Sequence, residues 1–298
     1  MNLQFMLDGL IAGSMIGLGA IGVTLTYSIL RFSNFAHGDF MAWGAYAALA
    51  VVGVLGGSTP LKPLSFGWPL LVAMIVAMGL TALLALALDW LLFARLRARG
   101  QAIIVVMASF GASMALRSLL EFIFTSRPTY FSRSIQMATP LGFGIKITAD
   151  QVALLMLTLV LVTGMHLFMS RSRRGREMRA YAQNPALAQV VGIDVASVVR
   201  ATWVIGAALA CASGVMLGVL VQIRPLMGLS LLLPIFAAAI LGGIGSVPGA
   251  VLGGLIIGFS EAAAVQFIGA EWRAAVAFVI LMAVLLVRPM GLFGAAER

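Results

Sequence analysis

Residues 67–93 read Gly-Trp-Pro-Leu-Leu-Val-Ala-Met-Ile-Val-Ala-Met-Gly-Leu-Thr-Ala-Leu-Leu-Ala-Leu-Ala-Leu-Asp-Trp-Leu-Leu-Phe, and Arg95, Arg97 and Arg99 follow at once. Asp89 is the one charge in that run. A helix needs about 20 consecutive apolar residues to cross the hydrocarbon of a bilayer. This run is long enough, and the arginines behind it mark the return to an aqueous surface. Eight more apolar runs follow the same rule, at 6–30, 39–57, 101–124, 150–170, 201–222, 229–245, 247–267 and 272–288.

The whole composition agrees. Of 298 residues, 62% are hydrophobic and 10% charged, with a mean hydropathy of +1.08. Soluble chains carry roughly a quarter charged residues, so this one cannot cover a water-facing surface. The fold class expected is an all-α polytopic integral membrane protein of eight or nine transmembrane helices. The count turns on 229–245, a short run with Pro234, Gly242, Gly243 and Gly245 that reads equally as a full span, a half-helix or a re-entrant segment. No second soluble domain fits, so 1–298 is expected to be a single domain.

The net charge is +9, from 19 basic and 10 acidic residues. The basic residues cluster in short loops between apolar runs, as the positive-inside rule requires, which removes nucleic acid as a partner and leaves membrane lipid. With nine spans, Arg31, Arg95, Arg97, Arg99, Arg171, Arg173, Arg174, Arg176, Arg179, Arg200, Arg288 and Arg298 share one side, read as the cytoplasm. Lys62, Arg127, Arg133, Lys146, Arg224 and Arg273 share the other. The N-terminus then faces out and the C-terminus in. Neither Lys62 nor Lys146 sits in a Gly-rich phosphate loop, so ATP chemistry would belong to another chain. Cys211, alone in an apolar run, is a packing residue. Met1-Asn2-Leu3-Gln4-Phe5 has no basic n-region, and the first span is expected to stay in place.

Small residues recur every fourth position at Gly9, Gly13 and Gly17, at Gly206, Ala210, Gly214 and Gly218, and at Gly245, Gly249 and Gly253. Such rows let membrane helices approach closely, and packing within the chain is the expected use. Gly13-Ser-Met-Ile-Gly17 is weakly similar to Gly214-Val-Met-Leu-Gly218, a hint of an internal repeat. The outer loop 125–149, with Pro128, Pro140, Gly142 and Gly144, alternates around Ile135-Gln136-Met137 and Ile145-Lys146-Ile147-Thr148, predicting a small β-hairpin.

The inner loop 171–200 is the most informative. After the basic stretch Arg171–Arg179, Asn184-Pro185 reads as an N-cap and first helical residue. Ala186–Val191 makes about two turns, and Gly192 ends them. Leu187, Val190 and Val191 share one face. Two turns are marginal alone, so this helix should dock into something.

With these features the chain resembles the LivH-type permeases of branched-chain amino-acid ABC importers over nearly its whole length. The resemblance rests on Asn34-Phe-Ala-His-Gly-Asp39, on Gly192-Ile193 with the loop before it, and on Ala239-Ile-Leu-Gly-Gly-Ile-Gly-Ser-Val-Pro-Gly-Ala250, continuing to Glu261-Ala262. It implies that 177–194 contacts an ATPase, giving a coupling set of Arg179, Asn184, Pro185, Leu187, Ala188, Val191, Gly192 and Ile193. In place of a Glu-Ala-Ala triplet the loop has Arg179-Ala180-Tyr181-Ala182. The resemblance also implies a second related permease chain, two ATPase subunits and a periplasmic solute-binding protein as partners, in a bacterial inner membrane.

Candidate solute-path or gating residues are Asn34, His37, Gly38, Glu121, Gly242, Gly243, Gly245 and Glu261. His37 with Asp39 suggests a metal at first sight, but His166 is the one other histidine and is far away in sequence. Backbone satisfaction is the expected role there, with a part in the solute path as the alternative. Arg117 and Glu121, four apart, are expected to pair. Glu261 has no basic residue within four positions. The Gly-rich 242–254 is the expected irregular backbone at membrane depth. No nucleophile–base pair, metal cluster or cofactor site is apparent, so the expectation is a non-catalytic permease for small polar solutes, branched-chain or other amino acids first. Urea, amides or aromatic acids are the alternative cargo, and an ion-coupled secondary transporter using Glu121 and Glu261 is the alternative mechanism.

Overall fold

The computed structural model describes residues 3–57, 61, 63–132, 136–142, 145–288 and 290–293. Met1, Asn2, Lys62, Arg133, Ile135, Gly144 and Arg298, which enter the readings above, lie outside them.

Seven helices among the described residues are long and apolar enough to cross a membrane: α1 (Gln4–Leu30), α3 (Trp68–Arg97), α4 (Ala102–Phe124), α5 (Ala149–Arg171), α8 (Val195–Leu220), α10 (Val247–Phe267) and α11 (Ala270–Val287). Two others complete the bundle, α2 (His37–Val54) and the shorter apolar α9 (Met227–Gly242). Between α5 and α8 lie α6 (Arg173–Gln183) and α7 (Pro185–Val190), and a hairpin of β1 (Thr139–Gly142) and β2 (Ile145–Ile147) precedes α5. The all-α multi-pass architecture is as expected, and each of the nine apolar runs has its helix.

The bundle has a hairpin end and an arginine-rich end. At the first, Gln4 donates from Nε2 to the Lys146 carbonyl at 3.2 Å and accepts from the Lys146 N–H at 2.8 Å. At the second, Arg31 donates to the Ala182 carbonyl at 2.6 Å. α1 therefore runs from one end to the other, buried for most of its length among α8, α9 and α10.

The chain is built twice. α1 ends at Leu30 and α2 begins at His37; α8 ends at Leu220 and α9 begins at Met227, a shift of 190 positions at both points. In each copy a six-residue irregular connector closes on the new helix with the same bonds. The His37 N–H donates to Asn34 O and Phe40 N–H to Ala36 O, as Met227 N–H does to Arg224 O and Ser230 N–H to Leu226 O. Pairings follow suit: α1 packs on α10 and α8 on α3, α2 on α3 and α4, α9 on α10 and α11. The units α1–α4 and α8–α11 thus form a repeat, and the single crossing of α5 inverts the second.

Small residues do the packing. Gly13 and Gly17 of α1 lie against the backbone of Gly254 and Gly258, while Gly249 and Gly253 face α9 at Gly242 and Ala238. The 242–254 stretch differs from expectation. Its irregular part is a short turn, 243–246, where the Gly245 N–H donates to Thr24 Oγ1 at 2.7 Å, toward the arginine-rich end of α1. From Val247 onward it is regular helix, its Pro at the first turn, where no N–H is needed. Irregular backbone inside the bundle is instead found in the connector 31–36, while 221–226 alternates buried Ile223 and Pro225 with exposed Val221, Arg224 and Leu226.

The hairpin is present but its first strand starts at Thr139, later than the alternation suggested. Gln136 is held elsewhere, donating to Pro63 O and Asp150 Oδ1, both at 2.9 Å. Asp150 also accepts from the Ser65 N–H at 2.9 Å and from its hydroxyl, tying two loops to the start of α5.

Candidate functional site

The connector 31–36 brings polar groups into the bundle. Arg31 takes a left-handed conformation (φ 59°) and reverses the chain. Phe32 then enters an aromatic cluster with Phe93 and Trp203, whose rings stack at 5.2 Å. Phe93 is aimed there by a π-helical stretch, Asp89–Phe93, late in α3, and Asp89 pairs with Arg97 at 2.7 Å. The Phe35 N–H donates to Ser109 Oγ at 3.1 Å. Asn34 accepts the Ala36 N–H at its Oδ1, while its buried Nδ2 has no hydrogen-bond partner. Phe35 itself meets Phe110 and Phe236.

His37 opens α2 and is 1% exposed. Its Nε2 lies 3.1 Å from the Gly19 carbonyl, so that nitrogen carries the proton. The ring fits because position 22 is glycine: a Cβ there would stand 2.6 Å from the imidazole Cε1. Backbone satisfaction is thus what His37 does in this structure. Among the described residues no three His, Cys, Asp or Glu side chains gather to hold a metal. Gly38, next along, meets Gly228 of α9, backbone against backbone.

The expected Arg117–Glu121 pair is not formed. Arg117 turns to Asp39 of α2, with Nε 3.4 Å from Oδ1, and donates from Nη2 to Ser113 at 3.1 Å. A carboxylate on a neighbouring helix outcompetes one on the same helix because the Arg-before-Glu order is the weaker one. Glu121 has no ion pair among the described residues. Glu261 does have a basic partner, twelve residues away: Arg273 donates to it at 2.7 Å, and the carboxylate is 2% exposed against 49% for the arginine. Gly242 is packed on Gly249, and Gly243 and Gly245 (φ 95° and 90°) form the turn described above.

At the arginine-rich end, Ser172 caps α6 through the Gly175 N–H at 2.8 Å, and Glu177 is held by Arg173 and Arg174. Asn184 ends α6 and caps α7, accepting the Leu187 N–H at 3.0 Å, with Pro185 at the first position. Gly192, at φ 82°, closes the helix as the Ile193 N–H returns to Ala188 O at 3.0 Å. Ala188 is buried, whereas Leu187, Val190 and Val191 are 58%, 82% and 67% exposed. Arg179 reaches back to the Ser170 carbonyl.

Residues 5–285 match the family described as "Branched-chain amino acid transport system / permease component". The chain belongs to this family. The permease is 33% identical over 301 residues to the high-affinity branched-chain amino acid transport system permease protein LivH of Escherichia coli K12, covering 99% of this chain and 96% of that one. It is 34% identical over 304 residues to the corresponding protein BraD of Pseudomonas aeruginosa, with the same coverage. A solved chain of PsaBC from Streptococcus pneumoniae in complex with Fab aligns over 97% of this chain and 93% of its own, at 14% identity and a TM-score of 0.49.

Of the residues singled out from sequence, the structure gathers Asn34, His37 and Gly38 in the first repeat of the permease, and Asn184 to Ile193 in one capped unit. Glu121, Glu261 and the Gly242–Gly245 turn lie apart from both groups. Sequence reading missed helix α6, although Ser172 three residues before Gly175 was a capping signal. It also missed the role of Asp39 as the partner of Arg117, which no local spacing encodes.

Proposed function

We propose that this permease is one membrane subunit of an ATP-driven importer in a bacterial inner membrane, carrying branched-chain or related amino acids delivered by a periplasmic receptor. A second permease chain pairs with it, and two ATPase subunits dock at the arginine-rich end, which faces the cytoplasm. The observation that carries the reading is α7. It is a capped two-turn helix at a water-facing end, presenting Leu187, Val190 and Val191 outward with none of the described residues covering them. An apolar face held out by a rigid cap is a docking surface, and its position between two membrane helices lets it pass motion from a motor into the bundle. Arg179, Asn184, Pro185, Ala188, Gly192 and Ile193 build and hold that surface.

The test is uptake of leucine into vesicles that hold the assembled complex. Uptake that requires internal ATP and ignores an imposed ion gradient is the expected result. Uptake on an ion gradient alone would replace this reading with a secondary transporter.

A further inference from the structure

Where α2 meets α4 the first repeat carries charges that the corresponding contact of α9 with α11 does without; the ion pair of the second repeat, Glu261 with Arg273, joins α10 to α11 instead. Along the face of α4 that meets α2, Ser109, Ser113, Arg117 and Glu121 recur every fourth residue, on one side of the helix. Asp39 of α2 and the connector residue Phe35 meet this row at Arg117 and Ser109. In the second repeat α11 holds the place of α4, against α9, and from Ala274 to Val287 it has no polar side chain. At the positions matching His37 and Asp39, α9 has Met227 and Leu229. The same helix position is filled there with apolar groups, so packing alone does not call for the charges. A buried ion pair is no better for stability than apolar side chains of its size.

The pair is also incomplete. Asp39 is 1% exposed, and its oxygens face Ser113 and Arg117 without a hydrogen bond of ordinary geometry to either. Arg117 Nε approaches to 3.4 Å without forming a hydrogen bond, and the Arg117 side chain is 16% exposed. Beside it on α4, Met114 and Phe110 are open. Within the Asp39–Arg117 pair a cation and an anion with unused bonding capacity stand side by side, summing to zero, while Glu121 lies one turn further along α4. A purely anionic or cationic solute would leave one of them uncompensated in a medium of low dielectric. A solute with a carboxylate and an ammonium one carbon apart satisfies both through charge-assisted hydrogen bonds.

We propose that Asp39 and Arg117 form the intramembrane receiving site for a zwitterionic α-amino acid, Arg117 taking the carboxylate and Asp39 the ammonium. The proposal rests on the importer reading. Phe110 lies about two turns of α4, or ~10 Å, from Arg117 toward the arginine-rich end and meets Phe35, which meets Phe236 in turn, so an apolar ring cluster flanks the site on that side.

The experiment uses the assembled complex with its receptor in vesicles and radiolabelled leucine as the probe. Met114→Cys is labelled with a small methanethiosulfonate; Cys211, fully buried, supplies a silent background. Leucine during turnover is expected to slow the labelling severalfold. In parallel, Asp39→Asn, Arg117→Gln and the double variant are each expected to lower leucine imported per ATP by about tenfold, the loss of one charge-assisted contact. Labelling indifferent to leucine, or a double variant that recovers import, would reduce the pair to a neutral clasp between helices and overturn the site. ATP-driven leucine uptake by the parent complex separates that outcome from failure of the importer reading, which the parent's inactivity would signal and which would remove the site with it.

Discussion

Gly38 and Gly228, the second residues of α2 and α9, touch through their backbones where the two repeats meet. A Cβ on Gly38 would stand 2.6 Å from the Gly228 carbonyl oxygen, and one on Gly228 would fall on the Gly38 carbonyl. Neither neighbour is a side chain that can swing away. Alanine at either position is therefore expected to destabilise the bundle by about 1–3 kcal/mol or more, as overpacking does. Thermal unfolding of the purified complex measures it, and Gly53→Ala, with open space around it, is the control that should change little.

The Asp150 carboxylate is the knot of the hairpin end. Asp150→Ala leaves the Ser65 N–H without its acceptor and the Gln136 amide with the Pro63 carbonyl alone, at a cost of about 1–3 kcal/mol for a buried group. The expected result is faster proteolysis within 55–67 and 125–148, with little change in the helices.

Glu261 and Arg273 are unequally placed, and the inequality gives a sign. Removing Arg273 strands a carboxylate that is 2% exposed, whereas removing the charge of Glu261 frees an arginine that is 49% exposed and can turn to water. Arg273→Ala is expected to lower the unfolding midpoint more than Glu261→Gln, by about 1–2 kcal/mol, below the cost of breaking a fully buried pair. Equal effects would mean that the carboxylate finds another donor.

On α7, Leu187→Asp is expected to leave membrane insertion and the unfolding midpoint nearly unchanged, because that side chain already faces water. Receptor-stimulated ATP hydrolysis and leucine uptake should both fall. Gly192→Ala adds about 1 kcal/mol of strain at its positive φ and should loosen the same surface to a lesser degree. Normal stimulation in Leu187→Asp would disprove the docking role.

The helices were legible because bilayer thickness imposes a length and a composition on each of them. Helix α7 was legible because Asn184, Pro185 and Gly192 are local signals. Connectors 31–36 and 221–226 were not, because their irregular backbone is held by partners distant in sequence, such as Ser109 of α4 and Thr129 of the loop that follows it. The likeness of Gly13–Gly17 to Gly214–Gly218 is not the register of the repeat: those stretches are 201 positions apart, while Gly38 and Gly228 are 190 apart. The Gly-rich 242–254 misled because glycine serves tight turns and close helices alike. Arg117 needed the fold before Asp39 could be preferred to Glu121.

The burial of α1 has a consequence for synthesis. Its small-residue face is covered by Gly254 and Gly258, near the far end of the chain. At ribosomal speeds of about 5–20 residues per second, that cover emerges roughly 10–50 s after the helix it must meet. For that interval α1 holds a sticky surface with no mate of its own, and any waiting neighbour with a matching row can claim it.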